Sequence, residues 1–171
     1  MASESRPMPA RKADLLPADV RAEIDRWLLK YPPDQRQSAV LSALHAVQAH
    51  NGWLTTQWLD AVADYLEMPP VSVYEVATFY SMLELKPVGR HMVSICKNIS
   101  CMLCGADDIV THVENKLGIR LGETTPDNRI TLKQEEECLA ACAGGPMMTV
   151  DGHYHENLTP QKVDEILDSL K

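Results

Sequence analysis

The chain has 171 residues, of which 45% are hydrophobic, and it carries a formal net charge of −8 with a pI near 5.2. This length and apolar content can bury a core in one large or two small domains, which excludes disorder of the whole chain. The negative field repels polyphosphate backbones and no basic stripe offsets it, so nucleic acid is excluded as a partner.

Residues 1–16 contain two prolines and charges of both signs. Their short length and acidic residues do not fit an organelle transit peptide, and we expect a flexible N-terminal arm. No apolar run approaches the roughly 20 residues that a membrane-spanning helix requires. We therefore expect a soluble chain with no direct membrane insertion.

Residues 17–86 predict a small bundle of four amphipathic helices with short connections. The start and stop signals are Pro17, Pro32-Pro33, Asn51-Gly52, Thr55 or Thr56, and a Ser72-x-x-Glu75 capping box. The apolar positions that recur at helical spacing are Val20, Ile24, Trp27 and Leu28, then Val40, Leu44 and Val47, then Trp58, Leu59, Val62 and Leu66, then Val73, Val76, Tyr80 and Leu83. The aromatic residues of the fourth helix, Tyr74, Phe79 and Tyr80, are expected to pack in the core or against a partner.

Residues 87–171 predict a different architecture, in which strands alternate with helices. The expected order is a strand at 91–95, a helix at 105–117 ended by Gly118, a strand at 129–134, a hairpin around Asp151-Gly152, and a helix that begins at Thr159 and Pro160. The fold class is therefore α+β, with a helical bundle followed by a small α/β domain of thioredoxin-like shape.

Four cysteines form two pairs, Cys96 with Cys101 and Cys138 with Cys142, and 36 residues separate the pairs. The first pair follows a predicted strand and the second precedes the hairpin, so both can meet at one end of a sheet. Four thiolates in two pairs suit a [2Fe-2S] cluster with one pair on each iron. Because the chain shows no export signal, clustered thiols are more typical of metal ligands than of disulfides.

Other cysteine arrangements remain open on spacing alone. Four cysteines also bind structural zinc, and Cys101 with Cys104 forms the CxxC of a redox dithiol. Cys96, Cys101 and Cys104 match the CxxxxCxxC run of plant-type ferredoxins, but the β-grasp fold of those proteins does not fit this helix-rich chain. With the two-pair assignment, Cys104 is left as a small packing residue in the first turn of the following helix.

Several sequence segments together resemble a known family. They are Val73–Tyr80, Leu85–Gly89, Cys96–Leu103, Leu117–Ile119, Gly122–Asp127, Glu137–Cys142 and Tyr154–Pro160. The family is that of thioredoxin-like [2Fe-2S] proteins, whose members include the E-type subunit of bacterial respiratory complex I, NADH:quinone oxidoreductase. It also includes subunits of NAD-reducing hydrogenases and NAD-dependent formate dehydrogenases. The resemblance extends from about residue 17 to the end of the chain.

The resemblance implies that Cys96, Cys101, Cys138 and Cys142 bind one [2Fe-2S] cluster and that the chain carries electrons without substrate chemistry of its own. It also implies a partner, the F-type subunit that holds FMN and the NADH site, close to the cluster. The place of the chain would then be the cytoplasm, in the peripheral arm of the complex at the inner membrane. No GxGxxG or P-loop occurs in this chain, in agreement with nucleotide binding by the partner.

The segment after Cys142 departs from the family, which commonly has an Asn-Ala-Pro type sequence where this chain reads Ala143-Gly144-Gly145-Pro146. The ligands are unchanged, but amides near the sulfurs help to set the redox potential. Thioredoxin-like folds tend to place a cis-proline just before the hairpin strand, so we predict a cis Gly145-Pro146 bond.

Two further predictions concern charged and imidazole side chains. Glu135, Glu136 and Glu137 run directly into Cys138, and we expect their negative charge to keep the cluster potential low. His153 and His155 alternate as on a strand, and we interpret them as surface residues of the hairpin rather than metal ligands.

Overall fold

The computed structural model describes residues 11–134 and 138–171. The chain divides between Pro87 and Val88 into two units, each with its own internal contacts. This division lies one residue from the boundary expected at residues 86 and 87. The first unit is helical, and the second contains the sheet.

The helices of the first unit follow the predicted order. They are α1 (Ala18–Leu28), α2 (Val40–Asn51), α3 (Thr56–Leu66) and α4 (Pro70–Phe79), with 3-10 turns at Lys12–Leu15 and Arg36–Ala39. Their buried faces contain the predicted apolar positions, among them Ile24, Leu44 and Val62, which have no exposed surface. Thr55 caps α3, since its hydroxyl accepts the backbone N–H of Trp58 at 3.3 Å.

Two expectations for the first unit are wrong. Ser72 and Glu75 do not cap α4, because the helix begins at Pro70, two residues before Ser72. Proline at the first helical position has its φ fixed near the helical value and lacks an N–H that would otherwise be unpaired, so Pro70 is the stronger start signal. Tyr80 is already extended, so it and Leu83 lie beyond the helix.

The predicted flexible arm is also too long. Lys12–Leu15 form a turn, and Leu16 is 1% exposed. The backbone N–H of Ala13 donates to Asp64 of α3 at 2.9 Å, and the ammonium of Lys12 donates to Asp60 at 2.8 Å. Residues 12–16 therefore pack on the helical unit, while residues 1–10 lie outside the described residues.

The second unit contains the predicted mixture of strands and helices. Its elements are β1 (His91–Ile95), α5 (Ile99–Leu103), α6 (Ala106–Leu117), β2 (Ile130–Lys133), β3 (Met148–Val150), β4 (His153–His155) and α7 (Pro160–Ser169), with a 3-10 turn at Cys142–Gly144. The α+β assignment is confirmed. The exception is α5, a five-residue helix that the sequence did not predict.

The described strands form one mixed sheet in the order β2-β1-β3-β4. β1 is central; it pairs in parallel with β2 and antiparallel with β3. The parallel pair requires a crossover, and α6 lies in that connection. Buried residues of β1, β2, α6 and α7 fill the core, including Val93, Ile95, Leu132, Val113 and Leu167.

The hairpin between β3 and β4 turns at Asp151 and Gly152, where φ is 51° and 81°. Positive φ at both central residues is the geometry that favours an Asp-Gly pair in a two-residue hairpin. The cis Gly145-Pro146 bond predicted just before this hairpin is confirmed.

His91 connects the start of β1 to the hairpin turn. Its Nδ1 lies 2.7 Å from Oδ2 of Asp151, and its Nε2 lies 3.1 Å from the carbonyl oxygen of Lys171. Both neighbours are acceptors, so the doubly protonated ring donates to both. The hydrogen bond with Asp151 accordingly raises the pKa of His91 above its usual 6.5.

We expect this contact to stabilise the second unit mainly at lower pH. A raised pKa in the folded state means that the contribution is complete below about 6.5 and disappears as pH rises through the folded pKa. Asp151→Asn removes the charge and should lower the pKa of His91 towards 6.5. An NMR titration of the imidazole measures this directly, and an unchanged pKa in Asp151→Asn would contradict the assignment.

Candidate metal centre

Cys96 and Cys101 are buried at the end of β1. Cys96 directly follows the strand, and its backbone N–H donates to the carbonyl of Met147 at 3.1 Å. Cys101 lies within α5, and each of the two cysteines is 1% exposed. Together with Ala106 and Met147 they form a small buried cluster separate from the main core. The sheet therefore fixes one cysteine, and the short helix fixes the other.

The environment of Cys101 favours a protonated thiol in the metal-free chain. Burial is the main cause that raises its pKa, to about 11, and the hydrogen bond and charge of Cys96 act in the same direction. A backbone hydrogen bond from Met147 lowers the pKa in part, and the charge of Cys142 raises it. A metal that binds here must displace the proton, so binding is coupled to proton release.

Cys138 and Cys142 form an exposed pair with metal-binding spacing. Their sulfur atoms are 3.4 Å apart. Two thiolates on one tetrahedral ion, each at about 2.3 Å, lie roughly 3.7 Å from one another. The backbone N–H of Ala140, which has a φ of 60°, donates to the sulfur of Cys138 at 3.3 Å. The tight turn therefore brings the two sulfurs together and places one backbone amide against the sulfur of Cys138.

Several contacts bring the two cysteine pairs to one end of the unit. The charge of Cys142 acts on Cys101. A Cβ atom built at Gly145 would lie 3.4 Å from the sulfur of Cys101, so the backbone after Cys142 runs close to that sulfur. Leu139, from the loop between Cys138 and Cys142, packs on the buried cluster that contains Cys96.

The four sulfurs do not form a closed cage. Among residues 11–134 and 138–171, no group of three or more His, Cys, Asp or Glu side chains is arranged to hold a metal ion. The arrangement is instead one buried pair and one exposed pair, with the backbone of Gly145 close to the sulfur of Cys101 and the charge of Cys142 acting on that thiol. Soft thiolates in two pairs fit the donor set of a [2Fe-2S] cluster. The four-ligand assignment stays a prediction.

Cys104 does not have the role expected of it. It is exposed and follows the last residue of α5, where its N–H donates to the carbonyls of Ser100 and Cys101. The interpretation as a packing residue is therefore wrong. The sequence reasoning missed α5 because five residues are too few to show helical periodicity; Asn98, a residue type common at helix starts, was the available signal.

The remaining candidate residues have different outcomes. Glu135, Glu136 and Glu137 lie outside the described residues, so their effect on the potential stays a prediction. Asp151, in the same hairpin as His153 and His155, is engaged by His91 and by the backbone N–H of Met92. The hairpin imidazoles remain surface-facing, with His153 exposed and His155 partly exposed.

Comparisons with known proteins identify the family of this chain. The sequence profile of the thioredoxin-like [2Fe-2S] ferredoxin family matches residues 24–171. The E-type NADH-quinone oxidoreductase subunit of Rickettsia bellii is 44% identical over 143 residues, which is 83% of this chain and 85% of the relative. The second E-type NADH-quinone oxidoreductase subunit of Rhizobium meliloti is 43% identical over 152 residues and 89% of each chain.

More distant similarities extend to longer proteins. The mitochondrial NADH dehydrogenase [ubiquinone] flavoprotein 2 of Dictyostelium discoideum is 39% identical over 150 residues, which is 87% of this chain and 60% of the relative. A solved NAD+-reducing [NiFe]-hydrogenase in the H2-reduced state aligns with a TM-score of 0.66 and 20% identity. That alignment covers 75% of this chain but 22% of the hydrogenase chain, and it shows a shared fold alone.

Proposed function

Because this chain belongs to the thioredoxin-like [2Fe-2S] ferredoxin family, we propose that it is the electron-carrying E-type subunit of an NADH:quinone oxidoreductase. Its one cluster would be held by Cys96, Cys101, Cys138 and Cys142. The observation that carries the proposal is that the chain after the exposed pair returns to the buried pair, where the backbone of Gly145 lies against the sulfur of Cys101.

The residues around the sulfurs suit the task of holding a one-electron carrier. A bound [2Fe-2S] cluster accepts and releases single electrons. Cys96 and Cys101 are buried and would keep water from the iron that they hold, whereas Cys138 and Cys142 are exposed. The amides of Ala140 and Met147 donate to sulfur and stabilise added negative charge there. No other chemistry is required of this chain.

The proposed partner is a flavin- and NADH-binding subunit of the F type, with the rest of the peripheral arm of complex I. The names of the relatives support this, since they are subunits of NADH-quinone oxidoreductase and a flavoprotein of NADH dehydrogenase. The cluster would lie close to the FMN of the partner, in the cytoplasm and peripheral to the inner membrane. Within the described residues, no helix is long and apolar enough to cross a bilayer.

A second candidate is the equivalent subunit of an NAD-reducing hydrogenase or an NAD-dependent formate dehydrogenase. The fold similarity to a NAD+-reducing [NiFe]-hydrogenase favours it. This candidate ranks second because the chain is 43–46% identical to NADH-quinone oxidoreductase subunits but 20% identical to the hydrogenase. The genes that encode the partner subunits distinguish these enzymes.

Metal analysis of the full chain, purified without oxygen, tests the cofactor. We expect a reddish-brown protein with iron and acid-labile sulfide in equal amounts and an electron paramagnetic resonance signal after reduction with dithionite. A colourless protein with zinc and no sulfide would instead establish the zinc-stabilised interaction module that the cysteine pattern left open.

Reduction by NADH tests the partner. The chain alone should remain oxidised in NADH, because its sequence contains no GxGxxG or P-loop motif for a nucleotide. Co-expression with the F-type partner encoded in the same genome should give a complex in which NADH reduces the cluster. Failure of the two chains to copurify, or of NADH to reduce the cluster in the complex, would overturn the proposed place beside the flavin.

A further inference from the structure

The side chain of Glu156 occupies the space beside Gly144, the last residue of the 3-10 turn that begins at Cys142. A Cβ atom built at Gly144 would overlap Oε2 of Glu156 and lie 2.7 Å from its Cβ. Rotation of the Glu156 side chain can move the carboxylate but not the Cβ, which is fixed to the backbone. Gly144 is buried and has no positive φ, so the position requires glycine for its space rather than its conformation.

Backbone hydrogen bonds hold the two segments together at the same place. The N–H of Asn157 donates to the carbonyl of Gly144 at 2.6 Å, and the N–H of Leu158 donates to the carbonyl of Pro146 at 2.9 Å. Leu158 is 5% exposed, so this connection is fixed in the core of the unit. The segment before α7, residues 156–158, therefore packs and hydrogen-bonds against the turn that carries Cys142.

Two side chains of opposite charge, Glu156 and Lys162, lie near this contact. Glu156 is exposed and places a carboxylate next to the turn that carries Cys142. The ammonium of Lys162 donates to the backbone carbonyl of Glu156, which places a positive charge nearby. A negative charge close to a redox centre disfavours the addition of an electron, and a positive charge favours it.

We propose that Glu156 is a positioning residue of the metal centre, which holds the Cys142–Gly144 turn by contact and lowers the midpoint potential of the cluster by its charge. This inference rests on the proposed function, since it requires the cluster at Cys142. Glu156 touches Gly144 rather than a ligand, so it acts through the turn.

The contact is tested by adding a side chain at position 144 and then removing the one at position 156. Gly144→Ala should lose most of its cluster, measured as iron per chain and as the half-life of the visible absorption in the presence of a chelator. Adding Glu156→Gly to this variant frees the space and should restore both readouts towards those of Glu156→Gly alone. A Gly144→Ala protein that retains its cluster like the wild type, or no recovery in the double variant, would overturn the contact.

The charge is tested with substitutions that keep the shape. Glu156→Gln should raise the midpoint potential in a titration followed by electron paramagnetic resonance, and Lys162→Gln should lower it. Glu165→Gln, an exposed residue on α7 with the same change in net charge, is the control and should leave the potential unchanged.

These outcomes separate the inference from the proposed function. Equal potentials for Glu156→Gln and Glu165→Gln in cluster-loaded proteins would refute the role of the charge and leave the cluster assignment intact. A wild-type chain without any cluster would instead refute the proposed function itself.

Discussion

Serine in place of any one of Cys96, Cys101, Cys138 and Cys142 is expected to abolish the electron paramagnetic resonance signal of the reduced protein. The hydroxyl is a harder and far less acidic ligand than a thiol, and iron in these clusters is held by thiolates. Loss of one ligand opens an iron to water, and the exposed side at Cys138 and Cys142 offers no protection. The matched variant is Cys104→Ser, which should retain the full signal because Cys104 faces solvent beyond the end of α5.

The pattern of loss separates the competing ligand sets. If Cys104→Ser lost the signal while Cys138→Ser or Cys142→Ser retained it, the ligands would be the CxxxxCxxC run of the plant-type arrangement. If only Cys101 and Cys104 mattered to the function, the chain would be a dithiol carrier. Far-UV circular dichroism of each metal-free variant should match the metal-free wild type, which excludes unfolding as the cause.

The second large effect is expected from the centre of the sheet. Ile95 ends β1 with no exposed surface, and its backbone pairs with Met148 of β3. Ile95→Ala should destabilise the second unit by about 2–5 kcal/mol, because it leaves a cavity in the tightly packed core between the sheet and the helices. Ile95 also directly precedes Cys96, so the cluster should be lost more readily from this variant.

Amide hydrogen exchange of β1 and β2 measures this effect within the second unit without interference from the first. Ile99→Ala is the control of the same residue type, since Ile99 is 70% exposed on α5. It should change the free energy of opening by less than about 0.5 kcal/mol. Equal effects of the two substitutions would contradict the described position of Ile95.

The elements that could be predicted from sequence are those long enough to show a hydrophobic period. α1, α2, α3, α6 and α7 each combine a recurrent apolar face with a start or stop residue, and β1 is a short apolar run. The start of α4 was misplaced because two start signals competed within residues 70–75, and proline geometry prevailed over the Ser72 and Glu75 side chains.

Sequence spacing predicted the candidate site only in part. It indicated which cysteines form pairs, because a pair four or five residues apart is set by local chain geometry. The burial of one pair and the exposure of the other depend on α5 and on the 3-10 turn at Cys142, which are too short to predict. The packing of Glu156 on Gly144 joins residues with no shared pattern, and only the fold reveals it.

The central position of β1 also determines when the site can exist during synthesis. β1 takes its parallel neighbour from residues 130–133 and its antiparallel neighbour from residues 148–150. A chain still attached to the ribosome has made Cys96 and Cys101 long before these strands emerge, and folding that depends on such distant pairings is slow. Cys96 and Cys101 therefore take their described places only after residues 148–150 have been made, so the candidate site requires the finished sheet.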